Sequence, residues 1–193
     1  MAFRITPEWI SKHGAGGVWH EAQGSRTWTI AEAVGAALDE NRSRARWVVR
    51  EVLHELPPRE CVRYACRRAR SVPQSEASER ALSLAERWAA SSAVTAAELR
   101  MAARVAWEEM ATAEEDAAAW AASSAVTAAE VAIHATRAPG FVGTLAADAA
   151  ADVAIHATRA VKGAKGYRAA WLAAAEDLQE LVDQRLEARG EEA

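Results

Sequence analysis

A chain of 193 residues with 51% hydrophobic content and a formal net charge of −4 is long enough for one domain with a sizeable core. Fifty of its residues are alanine, which bury little area, so the eight tryptophans with scattered Leu, Val and Ile must supply the core. Cys61 and Cys66, the only two cysteines, are spaced for neither a redox CxxC nor a zinc knuckle, and no uncharged apolar run is long enough to cross a bilayer.

The opening MAFRITPEWI is too short and too polar for a signal peptide, so a cytoplasmic protein with buried free thiols is expected. Charge is divided along the chain. Residues 1–74 carry net +4 (12 Lys and Arg against 8 Asp and Glu), and residues 75–193 carry net −8 (11 against 19). A basic helical part, 1–74, and an Ala-rich helical repeat part, 75–193, are expected to form one continuous domain, and the charge split suits either opposite-sign contacts between them or distinct partner surfaces.

In chain order, Thr6 caps a helix with Pro7 at its first position, and Gly14, Gly16 and Gly17 end it. That glycine cluster lacks the strand and the GK[ST] of a phosphate cradle, so it reads as a turn. Thr29-Ile30-Ala31-Glu32 is a capping box opening a helix to about Glu40. Asn41 and Ser43 mark a turn, and Arg44 to Leu56 follows as a helix burying Trp47, Val48 and Val52. Pro57-Pro58 ends it. Pro58 starts a helix to about Ser71 with an apolar stripe of Cys61, Val62, Ala65, Cys66 and Ala69. Arg59, Arg63, Arg67, Arg68 and Arg70 fill its other faces.

Beyond Pro73, a helix from Ser75 to about Ala90 turns Ala77, Ala81, Leu84, Ala85 and Trp88 inward. Ser91-Ser92 breaks it, and Thr95 to Glu98 caps the next helix, which runs to about Met110. Thr112 caps another that carries Trp120. Ser123-Ser124 is expected to break that one, with Thr127 to Glu130 capping anew. Pro139-Gly140 is a break, and Thr144 caps a helix from Leu145 to about Val161. The linker 162–166 leads to a last helix, Tyr167 to Arg189, with Trp171, Leu172, Leu178, Leu181, Val182 and Leu186 on its apolar side. No strand-like alternation is present. The fold class is therefore all-α, an irregular helical-hairpin bundle or short solenoid of about eight or nine helices.

Two segments are copied. WAASSAVTAAE stands at 88–98 and again at 120–130, while AAEVAIHATRA at 128–138 returns as AADVAIHATRA at 150–160. The first copy reads as a helix–turn–helix joint. The second sets Glu130 four residues before His134, and Asp152 four before His156, with Asp148 extending the row. Two such helices side by side would form a two-histidine, multi-carboxylate metal site. A plain carboxylate–histidine pair, with the imidazole packed on a Trp, is the simpler account. Residues 42–70 hold nine Arg and three Glu, the only stretch suited to phosphate. The tryptophans read as core, with Trp9 or Trp19 as interface anchors.

The order of a TIAEAV helix (Thr29 to Val34), Trp47-Val48-Val49, CVRYACRRARSV (Cys61 to Val72), ERALSLAERWA (Glu79 to Ala89) and long Ala runs resembles a group of alanine-rich helical proteins of bacteria and their phages. Some of these carry an immunity-protein label. The resemblance covers about residues 19–185, and the copied units depart from it. It implies an all-α protein that binds a protein partner, a toxin or a defence component, and it implies no catalytic residue.

Three functions follow as expectations. The first is a non-enzymatic inhibitor or immunity-type protein without a cofactor, occluding a partner protein through a helical surface. Its contact candidates are the acidic Glu108, Glu109, Glu114 and Glu115, matched to a basic partner, and the basic Arg59, Arg63, Arg67 and Arg70. The second is a phage counter-defence factor that engages a nucleic-acid-bound complex or a nucleotide through the arginines of 42–70. The third is a metal-dependent helical-bundle enzyme using Glu130, His134, Asp152 and His156.

Overall fold

A computed structural model describes residues 2–14, 26–91, 93–114, 116–136, 142–161 and 164–191. Among the described residues there are nine helices and no strand. They are α1 (Pro7–Lys12), α2 (Ile30–Glu40), α3 (Arg42–His54), α4 (Pro58–Ala69), α5 (Glu76–Ser91), α6 (Ala96–Thr112), α7 (Asp116–Ala135), α8 (Val142–Arg159) and α9 (Ala164–Glu191). None is long and apolar enough to cross a membrane. A single antiparallel bridge joins Ile5 to Trp28, each N–H donating to the other's carbonyl at 2.9 Å.

α7 is the hub. It packs against α8, α6, α4 and α5, while α4 also packs on α8 and α3 covers the outer side of α8. α2 lies on α3, and α9 closes over α2. α7 and α8 bury mostly alanine, with Ala125, Ala128, Ala132, Ala146, Ala147, Ala150 and Ala154 fully buried. Small side chains let helix axes approach closely. The large core residues sit around that centre, Val34, Val48, Leu53, Tyr64, Leu82, Leu99, Trp171 and Leu178 among them. Each such Leu or Trp contributes roughly 2–3 kcal/mol of burial. The first residues are held by α9, where Asp183 accepts from the Phe3 N–H at 2.6 Å and Gln179 bonds both Phe3 and Ile30.

Local chemistry sets several boundaries as expected. Thr6 accepts from Trp9 N–H with Pro7 beside it, and the capping boxes at Thr29 and Thr95 are complete. Gly14, at φ +71°, ends α1 in the left-handed region that glycine tolerates; Gly16 and Gly17 lie outside the described residues. Gly166 is required for another reason. A Cβ there would meet Val161 Cγ1 at 2.7 Å, so α9 can start close against the end of α8. The linker expected over 162–166 is accordingly shorter, because 164–166 are already helical.

Other boundaries differ. Ser43 is no turn residue: Asn41 alone caps α3, accepting from Arg44 N–H at 2.9 Å. Thr112 is no cap either. It is the last residue of α6, and its hydroxyl donates back to the carbonyls of Glu108 and Glu109. α8 begins at Val142, so Thr144 is inside it, and Pro139-Gly140 lies outside the described residues.

The largest difference concerns the copied eleven residues. At 88–98 they form the joint: α5 stops at Ser91 and Thr95 caps α6. At 120–130 the same residues run without interruption inside α7. The expected break at Ser123-Ser124 and cap at Thr127 are absent there. The polar groups are satisfied within the helix, with Thr127 donating to the Ser123 carbonyl at 2.9 Å and Ser124 to the Ala121 carbonyl at 2.6 Å. The second copy also has α4 and α8 against it, and Ser123 reaches His156 of α8. Tertiary packing decides between two states that the local sequence permits.

Thr95→Ala and Thr127→Ala separate the two states by chemical denaturation. Loss of the Thr95 cap is expected to cost about 1 kcal/mol. Loss of the mid-helix Thr127 hydroxyl is expected to change stability by no more than about 0.5 kcal/mol. Equal costs would contradict the assignment.

Candidate functional site

The arginines of α4 face the chain's own carboxylates. Arg63 meets Glu60 at 3.0 Å, and Arg67 meets Glu180 at 2.9 Å and Asp177 at 3.7 Å. Arg70 bonds Glu86 at 2.6 Å and also holds Glu79. Arg59, too, is not without a partner. Arg68, expected on an open face, is instead buried, its guanidinium 2.6 Å from Asp177. An unpaired charge there would cost on the order of 3 kcal/mol, so this pair fixes α9 against α4.

The same pattern recurs on α3. Arg46 meets Asp152 at 2.6 Å, while Arg50 at 3.8 Å and His54 at 3.5 Å face Asp148. The basic front and the acidic back of the chain therefore neutralise each other across α3–α8 and α4–α9.

The Glu/Asp–His units do not converge. Glu130 is exposed on α7, and His134 is half-buried near that helix's end. His156 hydrogen-bonds through Nδ1 to Ser123 Oγ at 2.9 Å and packs on Trp120, with ring centroids 5.4 Å apart. Asp152 is bound to Arg46. Among the described residues no group of three or more His, Cys, Asp or Glu side chains is placed to hold a metal ion. The cysteines are buried and unbridged, and burial, the main cause, pushes the Cys61 thiol up to about 12. Cys61 donates to the Leu53 carbonyl. A thiol held protonated is a poor nucleophile.

The acidic candidates are scattered. Glu108 is exposed and paired with Arg104 at 2.9 Å, Glu109 is half-buried with the Ser75 hydroxyl on it, and Glu114 is exposed. Glu115 lies outside the described residues.

What the sequence reading missed is on α6. Leu99, Ala102, Ala103 and Ala106 are its buried face. Met101, Val105 and Trp107 stand outside it, exposed by 63%, 46% and 53%. Trp107 thus departs from the expectation that the tryptophans are core. Trp28, Trp88 and Trp171 are buried, Trp9, Trp47 and Trp120 are half-buried, and Trp19 lies outside the described residues. Trp9 packs inward on Phe3, His13 and Trp47 and does not stand free as an anchor. The available signal was that α6 carries large apolar residues on more than one face, which a helix with only one buried side does not need. No family model, no curated protein and no solved structure matches the chain.

Burial, outweighing the opposing charge of Asp152, draws the His156 imidazole below its ordinary 6.5. Below pH 6.5 the unfolded chain therefore binds a proton that the folded chain resists. Stability is present above that value and falls as pH drops toward the folded pKa. Denaturation midpoints measured from about pH 7 to about pH 5 should fall more steeply in the wild type than in His156→Gln. Parallel profiles would contradict it.

Proposed function

We propose that the chain is a non-enzymatic protein-binding protein of the inhibitor or immunity kind, covering its partner with a helical surface centred on α6. The observation that carries this reading is the exposure of Met101, Val105 and Trp107 on one helix, the first two on its α5 flank and Trp107 on its α7 flank, either side of the buried stripe. Single exposed apolar residues are ordinary, but Met and Trp grouped on one element are what protein interfaces favour. Glu108, exposed on the same helix and paired with Arg104, supplies a polar border.

Capture of a nucleic acid through α4 has less support. Phosphate would have to displace Glu60, Asp177, Glu180, Glu79 and Glu86 from the arginines that they already neutralise.

A photo-crosslinking amino acid at position 107, in cells of the native host, tests the proposal. One stoichiometric protein adduct is expected, lost when Met101→Ser and Val105→Ser are combined with unchanged helix content. Heterogeneous adducts that ignore the double substitution would contradict it.

A further inference from the structure

The surface around α6 has a definite shape. Between α5 and α6 lies a groove of about 460 Å³. Half-buried Ala77 and Leu84 with buried Ala102 line its depth, and exposed Met101 and Val105 form the α6 side. The α5 side carries Arg80 and Arg87. These two are seven residues apart, two helical turns on one face, as are Glu98 and Val105 opposite them. The groove thus runs along both helices for roughly 10 Å.

Its charge differs from that of α4. Among the described residues Arg80 and Arg87 form no ion pair. The one carboxylate lining the groove, Glu98, is already engaged, accepting the Thr95 N–H and the Thr95 hydroxyl, each at 2.8 Å. Those bonds, the backbone one first, hold Glu98 below the usual carboxylate range, with Arg87 adding a smaller pull. An apolar trough is therefore bordered on one side by two cations that form no ion pair among the described residues, Arg87 being drawn only at longer range to the already engaged Glu98.

We propose that this groove receives an amphipathic helix of the partner protein, with an apolar stripe seated between Leu84, Met101 and Val105 and carboxylates on the flank facing Arg80 and Arg87. A straight trough between two antiparallel helices suits a third helix, whose i, i+3/i+4 and i+7 residues fill it. The free cations choose the sign of its flank. This assignment rests on the protein-binding reading of α6 and specifies the partner's docking element as acidic. The expectation from Glu108, Glu109, Glu114 and Glu115 was the reverse.

The test uses the full chain and a displayed library of helix-forming peptides of about 18 residues, roughly 27 Å long. Selection on the wild type, with counter-selection on Arg80→Glu/Arg87→Glu, should enrich peptides that pair an apolar stripe with an acidic flank. They should bind the wild type about tenfold or more tighter than the reversed variant and shift the Met101 methyl resonance. All the substituted side chains are exposed, so circular dichroism should be unchanged. Peptides with a basic or neutral flank, peptides that bind both proteins equally, or no enrichment would overturn the proposal. Self-association abolished by Arg80→Glu would assign the groove to a second copy and overturn it as well. If the library fails while position 107 still crosslinks one protein, the groove assignment falls and the wider reading stands.

Discussion

The contact of α7 with α8 through alanine is the constraint on which the other packing depends. With Ala125, Ala128, Ala132, Ala147, Ala150 and Ala154 fully buried, the two central helices pack largely through small side chains, which favours close approach. Alanine returns little hydrophobic free energy per residue, so stability must come from the periphery. That is where Tyr64, Leu53, Leu82, Leu99, Trp171 and Leu178 lie, on the helices that wrap the pair.

Charge binds the wrapping helices. Arg68 is buried against Asp177, and Arg46 reaches Asp152, so the basic first part of the chain and the acidic second part meet as folded neighbours. The exposed pairs, such as Arg63 with Glu60, contribute little each. Their functional effect is larger than their energetic one, because they remove α4 as an uncompensated cationic surface. Large apolar residues stay exposed on α6, and the cations of α5 beside them form no ion pair among the described residues.

Helix identity and half of the threonine caps were legible in the sequence because they are local events. Thr6, Thr29 and Thr95 satisfy nearby N–H groups wherever the helix then travels. The copied WAASSAVTAAE marks the limit of local reading. Eleven identical residues give a joint in one context and a continuous helix in the other, and only their neighbours differ. The candidate site was less legible. A count of arginines in 42–70 holds no distances to Glu180 or Asp177, more than a hundred positions away for Arg67. Nor does helical periodicity tell that, among the described residues, Met101 and Val105 on the α5 flank of α6 and Trp107 on its α7 flank stay exposed.

The central claim, that alanine at the α7–α8 contact sets the spacing of the whole bundle, is tested most directly by thermal unfolding of Ala150→Leu beside Ala118→Leu. Ala150 is fully buried and Ala118 is exposed on α7. Overpacking at 150 is expected to cost about 1–3 kcal/mol or more, and the change at 118 close to nothing. An Ala150→Leu protein as stable as the wild type would contradict the account.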